Sequence, residues 1–110
     1  MAIHESLAQG RWFQLTLAEQ LANVGSEFHR ASKAFQAQNS TRFNHAADRM
    51  LELINLTASD PRWFGPKTRE ITRLKESMCT EFWGDAPSIH SQAALDRYFT
   101  YFAIAARKNK

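Results

Sequence analysis

The most constraining feature of this 110-residue chain is a regular apolar stripe that begins close to its N-terminus. Apolar side chains recur there at alternating steps of four and three positions, which keeps them on one side of an α-helix for about five turns. Thr16 and Glu19 stand at the start of the stripe with the spacing of a capping box, the pairing that begins many helices. The sequence therefore predicts a long amphipathic helix after Thr16, with these residues on its inner side: Leu17, Leu21, Val24, Phe28, Ala31 and Phe35.

Three more helices are predicted by similar patterns. A polar turn over residues 36–41, with Asn39 or Ser40 as the cap, precedes a second stripe whose extra leucines suggest contact with more than one helix. Two prolines and a glycine between residues 60 and 66 must end that helix. The third helix is expected from about Lys67 to Trp83 and the fourth from about Ser91 to Arg107.

The predicted fold is all-α, because no segment alternates β-branched and polar residues as a strand would. Short links between the four helices favour an antiparallel four-helix bundle over residues 15–110, behind an N-terminal arm of residues 1–14. Trp12 and Phe13 in the arm are expected to pack over the end of the bundle, and docking of the arm on a neighbouring molecule is the alternative. Gly25 interrupts the first helix, and the close approach of another helix is the expected reason.

Composition places the chain among compact, water-soluble domains. Its hydrophobic fraction of 44% and aromatic fraction of 12% suit one globular core. The single cysteine, Cys79, excludes a disulfide framework and favours a reducing compartment. The first residues lack the pattern of a secretory signal, and no apolar run is long enough to span a bilayer. A cytoplasmic location without a membrane partner is therefore expected.

Three segments of the chain carry a resemblance to known proteins. LAEQLANVGSE at residues 17–27, FWGD at 82–85 and YFTYFAIAAR at 98–107 resemble a family of short, uncharacterised prokaryotic helical proteins. The likeness covers residues 15–107 and implies no established activity. In size and helix count alone, the chain is also similar to four-helix-bundle proteins related to the ribosomal intervening-sequence protein, a group that includes reverse-transcriptase accessory subunits. That analogy of fold implies a basic oligomer that binds RNA and a polymerase.

The sequence contains no motif of an enzyme. Glu-x-x-His pairs of a di-iron bundle and glycine-rich phosphate loops are both missing, and the four histidines are scattered. Neither Arg97 nor Arg107 precedes a histidine, as a helical ribonuclease would require. We therefore expect no catalysis, no metal, no cofactor and no small-molecule substrate. One enzymatic alternative stays open, a cleft at the bundle end that uses Asp85, His90 or Glu27.

The distribution of charge favours a non-enzymatic accessory protein whose basic third helix and C-terminal tail bind RNA or DNA, or a nucleic-acid enzyme. Residues 1–60 hold five basic and six acidic side chains, whereas residues 61–110 hold nine basic and five acidic ones. Clustered cations suit phosphate contacts, and exposed aromatic rings beside them can stack on unpaired bases. The ordinary alternative is a solvated surface in which Glu70 and Glu76 neutralise Arg73. The predicted phosphate-binding residues are Arg62, Lys67, Arg69, Arg73, Arg107, Lys108 and Lys110, with Trp63 and Phe64 as stacking residues.

A second functional hypothesis is a module for protein interaction. The last helix is apolar nearly all round over its final turns, so that either it is central in the bundle or one face meets another subunit. In that hypothesis Tyr98, Tyr101 and Phe102 form an interface with a second copy or another protein partner.

Overall fold

The computed structural model describes residues 10–84 and 89–108, which form four α-helices and two short 3₁₀ turns. The turns span Arg11–Gln14 and Pro61–Trp63, before the first and the third helix. The helices are α1 (Leu17–Gln36), α2 (Ser40–Ala58), α3 (Pro66–Trp83) and α4 (Ile89–Lys108). The predicted all-α class and the predicted order of the helices are confirmed.

Local sequence signals explain where the helices begin. The Thr16 hydroxyl accepts a hydrogen bond from the Glu19 amide, and the Glu19 carboxylate accepts one from the Thr16 amide, so the capping box is confirmed. Asn39 caps α2 by accepting from the Arg42 amide. Pro66 occupies the first turn of α3, where its missing N–H costs nothing.

The helices pack as an antiparallel bundle in which α1 contacts both α2 and α4. Along the α1–α4 contact, Gly25 faces Phe99 and Gln36 donates a hydrogen bond to Gln92, so the two helices run in opposite directions. Helix α2 also contacts α3, which agrees with its wide apolar face. The last helix is not the central one, since its Tyr101 side chain is 71% exposed.

Gly25 is needed where α1 and α4 cross. A Cβ atom at this position would overlap the Cβ of Phe99 and stand 2.6 Å from its Cγ. The expected close approach of a neighbouring helix is therefore confirmed, and α4 is the helix that approaches.

The core begins before the first helix. Trp12 is 1% exposed and joins the hydrophobic cluster, while Phe13 packs against that cluster from the outside. Packing of these two residues on the bundle is thus observed, and residues 1–9 of the predicted arm lie outside the described part. At the opposite end, the ring centre of Phe82 lies within 5.5 Å of the ring centres of Phe28, Phe35 and Phe43.

Candidate nucleic-acid surface

The first predicted site residues lie in the link between α2 and α3, which is built around a buried carboxylate. Asp60 is 1% exposed and accepts hydrogen bonds from Gln20 of α1 at 3.0 Å and from the Arg62 guanidinium at 2.7 Å. Gln20 also donates to the Trp12 carbonyl oxygen at 2.9 Å. Asp60 therefore connects the link to both α1 and the turn that precedes it.

Arg62 is the direct partner of this carboxylate. Its hydrogen bonds to Asp60 hold the pKa of that carboxyl below its ordinary value of 3.8, against the opposing effect of burial. The same contact raises the pKa of the Arg62 guanidinium. Arg62 also donates to the Leu15 carbonyl oxygen at 2.6 Å. A phosphate would have to compete with these contacts before it could use Arg62.

Trp63 is similarly engaged in the fold. Its indole N–H donates to Gln20 at 2.9 Å, and the side chain is only partly exposed. The Arg62 guanidinium carbon and the Lys67 ammonium lie 4.5 Å and 5.2 Å from the centre of the ring. Neighbouring Phe64 is 63% exposed, so a nucleic-acid base could stack on its ring more easily than on that of Trp63.

The remaining predicted cations of α3 are free of acidic partners. Lys67, Arg69 and Arg73 are all exposed, and we refer to them as the basic segment of α3. No described residue forms an ion pair with any of the three, although Glu70 and Glu76 stand on the same helix. Neutralisation of Arg73 by either glutamate is therefore not observed.

The end of α4 brings further positive charge to the same end of the bundle. Arg107 lines a shallow cleft together with Leu15, whose carbonyl oxygen binds Arg62. Lys108 follows as the last residue of α4 and is exposed. Lys110, the last predicted phosphate contact, lies outside the described residues.

The predicted protein interface has a mixed environment. Tyr101 is 71% exposed and Tyr98 is 41% exposed, whereas Phe102 packs against the core. Partial burial raises the pKa of the Tyr98 hydroxyl, with a smaller contribution from the Glu70 carboxylate of α3. Ile104, one turn after Tyr101, is also 41% exposed and extends the apolar surface.

Among the residues considered for an enzyme, Glu27 and Cys79 lie in the part of the chain that is described. Across residues 10–84 and 89–108, no three His, Cys, Asp or Glu side chains are grouped so that they could hold a metal ion. Glu27 is occupied by two arginines, and Cys79 is a free, partly buried thiol. Asp85 and the His90 side chain lie outside the description. Within the same ranges, no helix is both long and apolar enough to cross a membrane.

Sequence reasoning missed a second set of basic residues. They line a cleft of about 550 Å³ between α1 and α2, and they include four of the five basic residues of the first sixty: Arg30, Lys33, Arg42 and Arg49. This cluster of cations therefore lies in residues 1–60, the part of the chain whose net charge is negative. The helical spacing of residues 30 and 33 on α1, and of 42 and 49 on α2, could have indicated one shared face.

Comparison with known proteins adds no constraint on this site. The chain matches no family model, no curated protein and no solved structure. The resemblance to short prokaryotic helical proteins and the analogy to reverse-transcriptase accessory subunits therefore stay predictions.

Proposed function

We propose that this protein binds nucleic acid without catalysing a reaction, through the basic segment of α3 and the neighbouring end of α4. One observation carries the proposal: Arg69 and Arg73 are exposed and form no ion pair in the described part, although Glu70 and Glu76 each stand three positions from Arg73. The inner side of α3 holds Ile71, Leu74 and Met78, so helical geometry directs both arginines to the opposite, solvent side.

Phosphate contacts account well for this arrangement. Guanidinium groups bind phosphate oxygens through paired N–H donors, and each contact releases condensed counterions. The first turn of α3 has no acidic residue, so the positive end of the helix dipole reinforces Lys67. The exposed Phe64 ring in the adjoining link adds a stacking surface of the kind that single-stranded nucleic acids use.

The test is a binding titration with a single-stranded RNA oligonucleotide and the DNA of the same sequence. Fluorescence anisotropy across a salt series should show an affinity that falls steeply as salt rises. The double variant Arg69→Glu/Arg73→Glu should lose at least about tenfold in affinity. In Arg69→Gln/Arg73→Gln, the slope of log K against log salt should fall by about 1.4, since each single-strand phosphate contact contributes about 0.7.

The matched control is Arg97→Glu, because Arg97 is an exposed arginine on α4 that lies outside the proposed surface. It should change affinity much less than Arg73→Glu does. Equal losses in the two single variants would mean that only net charge matters, and the proposed surface would then be wrong. Unaltered circular dichroism in each variant verifies that the fold is intact.

A second candidate function is self-association through the last helix. The supporting observation is the exposed apolar line formed by Tyr98, Tyr101 and Ile104. Tyrosine is enriched at the energetic centres of interfaces because it combines a large apolar ring with a polar tip.

We expect Tyr101→Asp to weaken such an assembly by more than about tenfold, because it places a charge in the middle of the apolar line. Sedimentation velocity over a range of concentrations measures the change in mass. Phe64→Asp is the control, since it alters an exposed aromatic ring in the link between α2 and α3 that is not part of the apolar line on α4. A protein that stays monomeric at high concentration would contradict this candidate.

A further inference from the structure

The cleft between α1 and α2 is lined by basic side chains and by no acidic one. Arg30 and Lys33 come from α1, and Arg42 and Arg49 come from α2. The other polar side chains of the lining are Asn39, His45 and His29, and His29 Nδ1 lies 3.2 Å from the Asp96 carboxylate of α4. Because each helix supplies its cations to the same space, they surround a concave volume, unlike the basic segment of α3, which lies on a convex helix surface.

A buried carboxylate organises the cations at this cleft. Glu27 is 6% exposed and accepts a hydrogen bond from Arg30 at 2.8 Å, while its second oxygen lies 3.3 Å from the Nε of Arg49. It therefore holds one guanidinium from each helix at the cleft. Its single negative charge offsets only one of the four positive ones, so an excess of three remains.

The outer cations have no partner of their own. Lys33 and Arg42 are exposed, and no side chain in the described part forms an ion pair with either of them. The helix dipoles do not supply the missing negative charge. The negative C-terminal end of α1 and the positive N-terminal end of α2 both border the cleft, so their fields oppose each other. An anionic ligand is what this arrangement lacks.

Small residues give that ligand room. Ala34, Ala37 and Ala46 form part of the lining, and the volume of about 550 Å³ is within the usual range for small-molecule sites. Planar guanidinium groups that converge from two sides match the oxygens of phosphate groups better than those of a single carboxylate.

We propose that this cleft binds a small molecule that carries two or more phosphate groups. Lys33 and Arg42 bind the phosphates with unpaired charges, and Arg30 and Arg49 add contacts through the guanidinium N–H groups that Glu27 does not use. This site shares no residue with the nucleic-acid surface proposed above, so either proposal can fail alone.

Isothermal titration calorimetry with inorganic pyrophosphate and inorganic triphosphate tests the proposal. We expect saturable binding of one anion per chain. The variant Lys33→Glu/Arg42→Glu should weaken it by more than about tenfold, since it reverses two unpaired charges at the mouth of the cleft. Both residues are exposed, so these changes leave the buried contacts of Glu27 in place.

The matched control is Arg69→Glu/Arg73→Glu, which makes the same change in net charge on α3. The change that it causes in the logarithm of the pyrophosphate affinity should be less than half of the change caused by Lys33→Glu/Arg42→Glu. Equal losses in the two double variants, or no saturation at about 10 mM pyrophosphate, would overturn the proposal. Displacement of pyrophosphate by single-stranded RNA, together with loss of RNA affinity in Lys33→Glu/Arg42→Glu, would also overturn it, because the ligand would then be a nucleic-acid backbone.

Discussion

Replacing Asp60 with asparagine should lower the free energy of unfolding by about 3 kcal/mol, a figure at the lower end of the range for breaking a buried ion pair. The asparagine side chain would keep the shape of the aspartate but would leave Arg62 without its counter-charge. Its amide nitrogen would also face the N–H groups of Gln20 or Arg62, which donate to Asp60 in the native protein. The lower end of the range applies because the Arg62 side chain is 40% exposed and can recover some hydration.

The loss of unfolding free energy caused by Asp60→Asn should also depend on pH. The pKa of Asp60 is lowered in the folded protein, so the carboxylate stabilises the fold fully above the unfolded value of about 3.8 and less as the pH falls through the folded value. Below both values, protonated Asp60 resembles asparagine, and the difference between the two proteins should shrink. Urea denaturation of both proteins from neutral pH to well below pH 3.8 follows this convergence.

Asp48→Asn is the control for this experiment, because Asp48 is an exposed carboxylate on α2. It should change the free energy of unfolding by less than about 0.5 kcal/mol. An Asp60→Asn protein as stable as the native one at neutral pH would show that the link between α2 and α3 does not depend on this carboxylate.

Gly25→Ala should destabilise the protein by about 2–3 kcal/mol, even though alanine is the better helix former. The added methyl group would overlap Phe99, and the neighbouring contact is a side-chain root that cannot rotate away. Helix α4 would have to move outward, which would open the packing between α1 and α4.

The sign of this effect makes the test decisive. Helix propensity alone requires Gly25→Ala to stabilise the protein by about 1 kcal/mol. Thermal and urea denaturation of Gly25→Ala should show a loss, whereas Ser26→Ala at the next, exposed position should stay within about 0.5 kcal/mol. A gain in stability for Gly25→Ala would contradict the close packing of α4 on α1.

Much of the architecture was readable from local patterns. The stripe from Leu17 to Phe35 defined α1, the capping box at Thr16 began it, and the prolines at 61 and 66 ended one helix and began another. These signals depend on neighbours a few positions away, and the physics of capping and amphipathic spacing acts at the same range.

The polar contacts at the bundle ends were not readable in this way. Asp60 joins Gln20, which lies forty positions earlier, and Trp12 donates to Thr57, forty-five positions later. Such pairs depend on how the helices pack, and neither the residue types nor their spacing in the sequence predicts them. For the same reason, the contacts that Arg62 and Trp63 make within the fold could not be predicted by counting charged and aromatic residues along the sequence.

The sequence by itself determined the four helices, their order and, for the first three, the side that faces the core, because periodicity and caps are local. Only the tertiary structure decided which charges share a space. Counting charge along the chain directed attention to residues 61–110, yet the first sixty residues place Arg30, Lys33, Arg42 and Arg49 around one cleft. Electrostatic interaction depends on distance through space, and the folding of α1 against α2 brings these four side chains together while Asp60 is buried at the other end of the bundle.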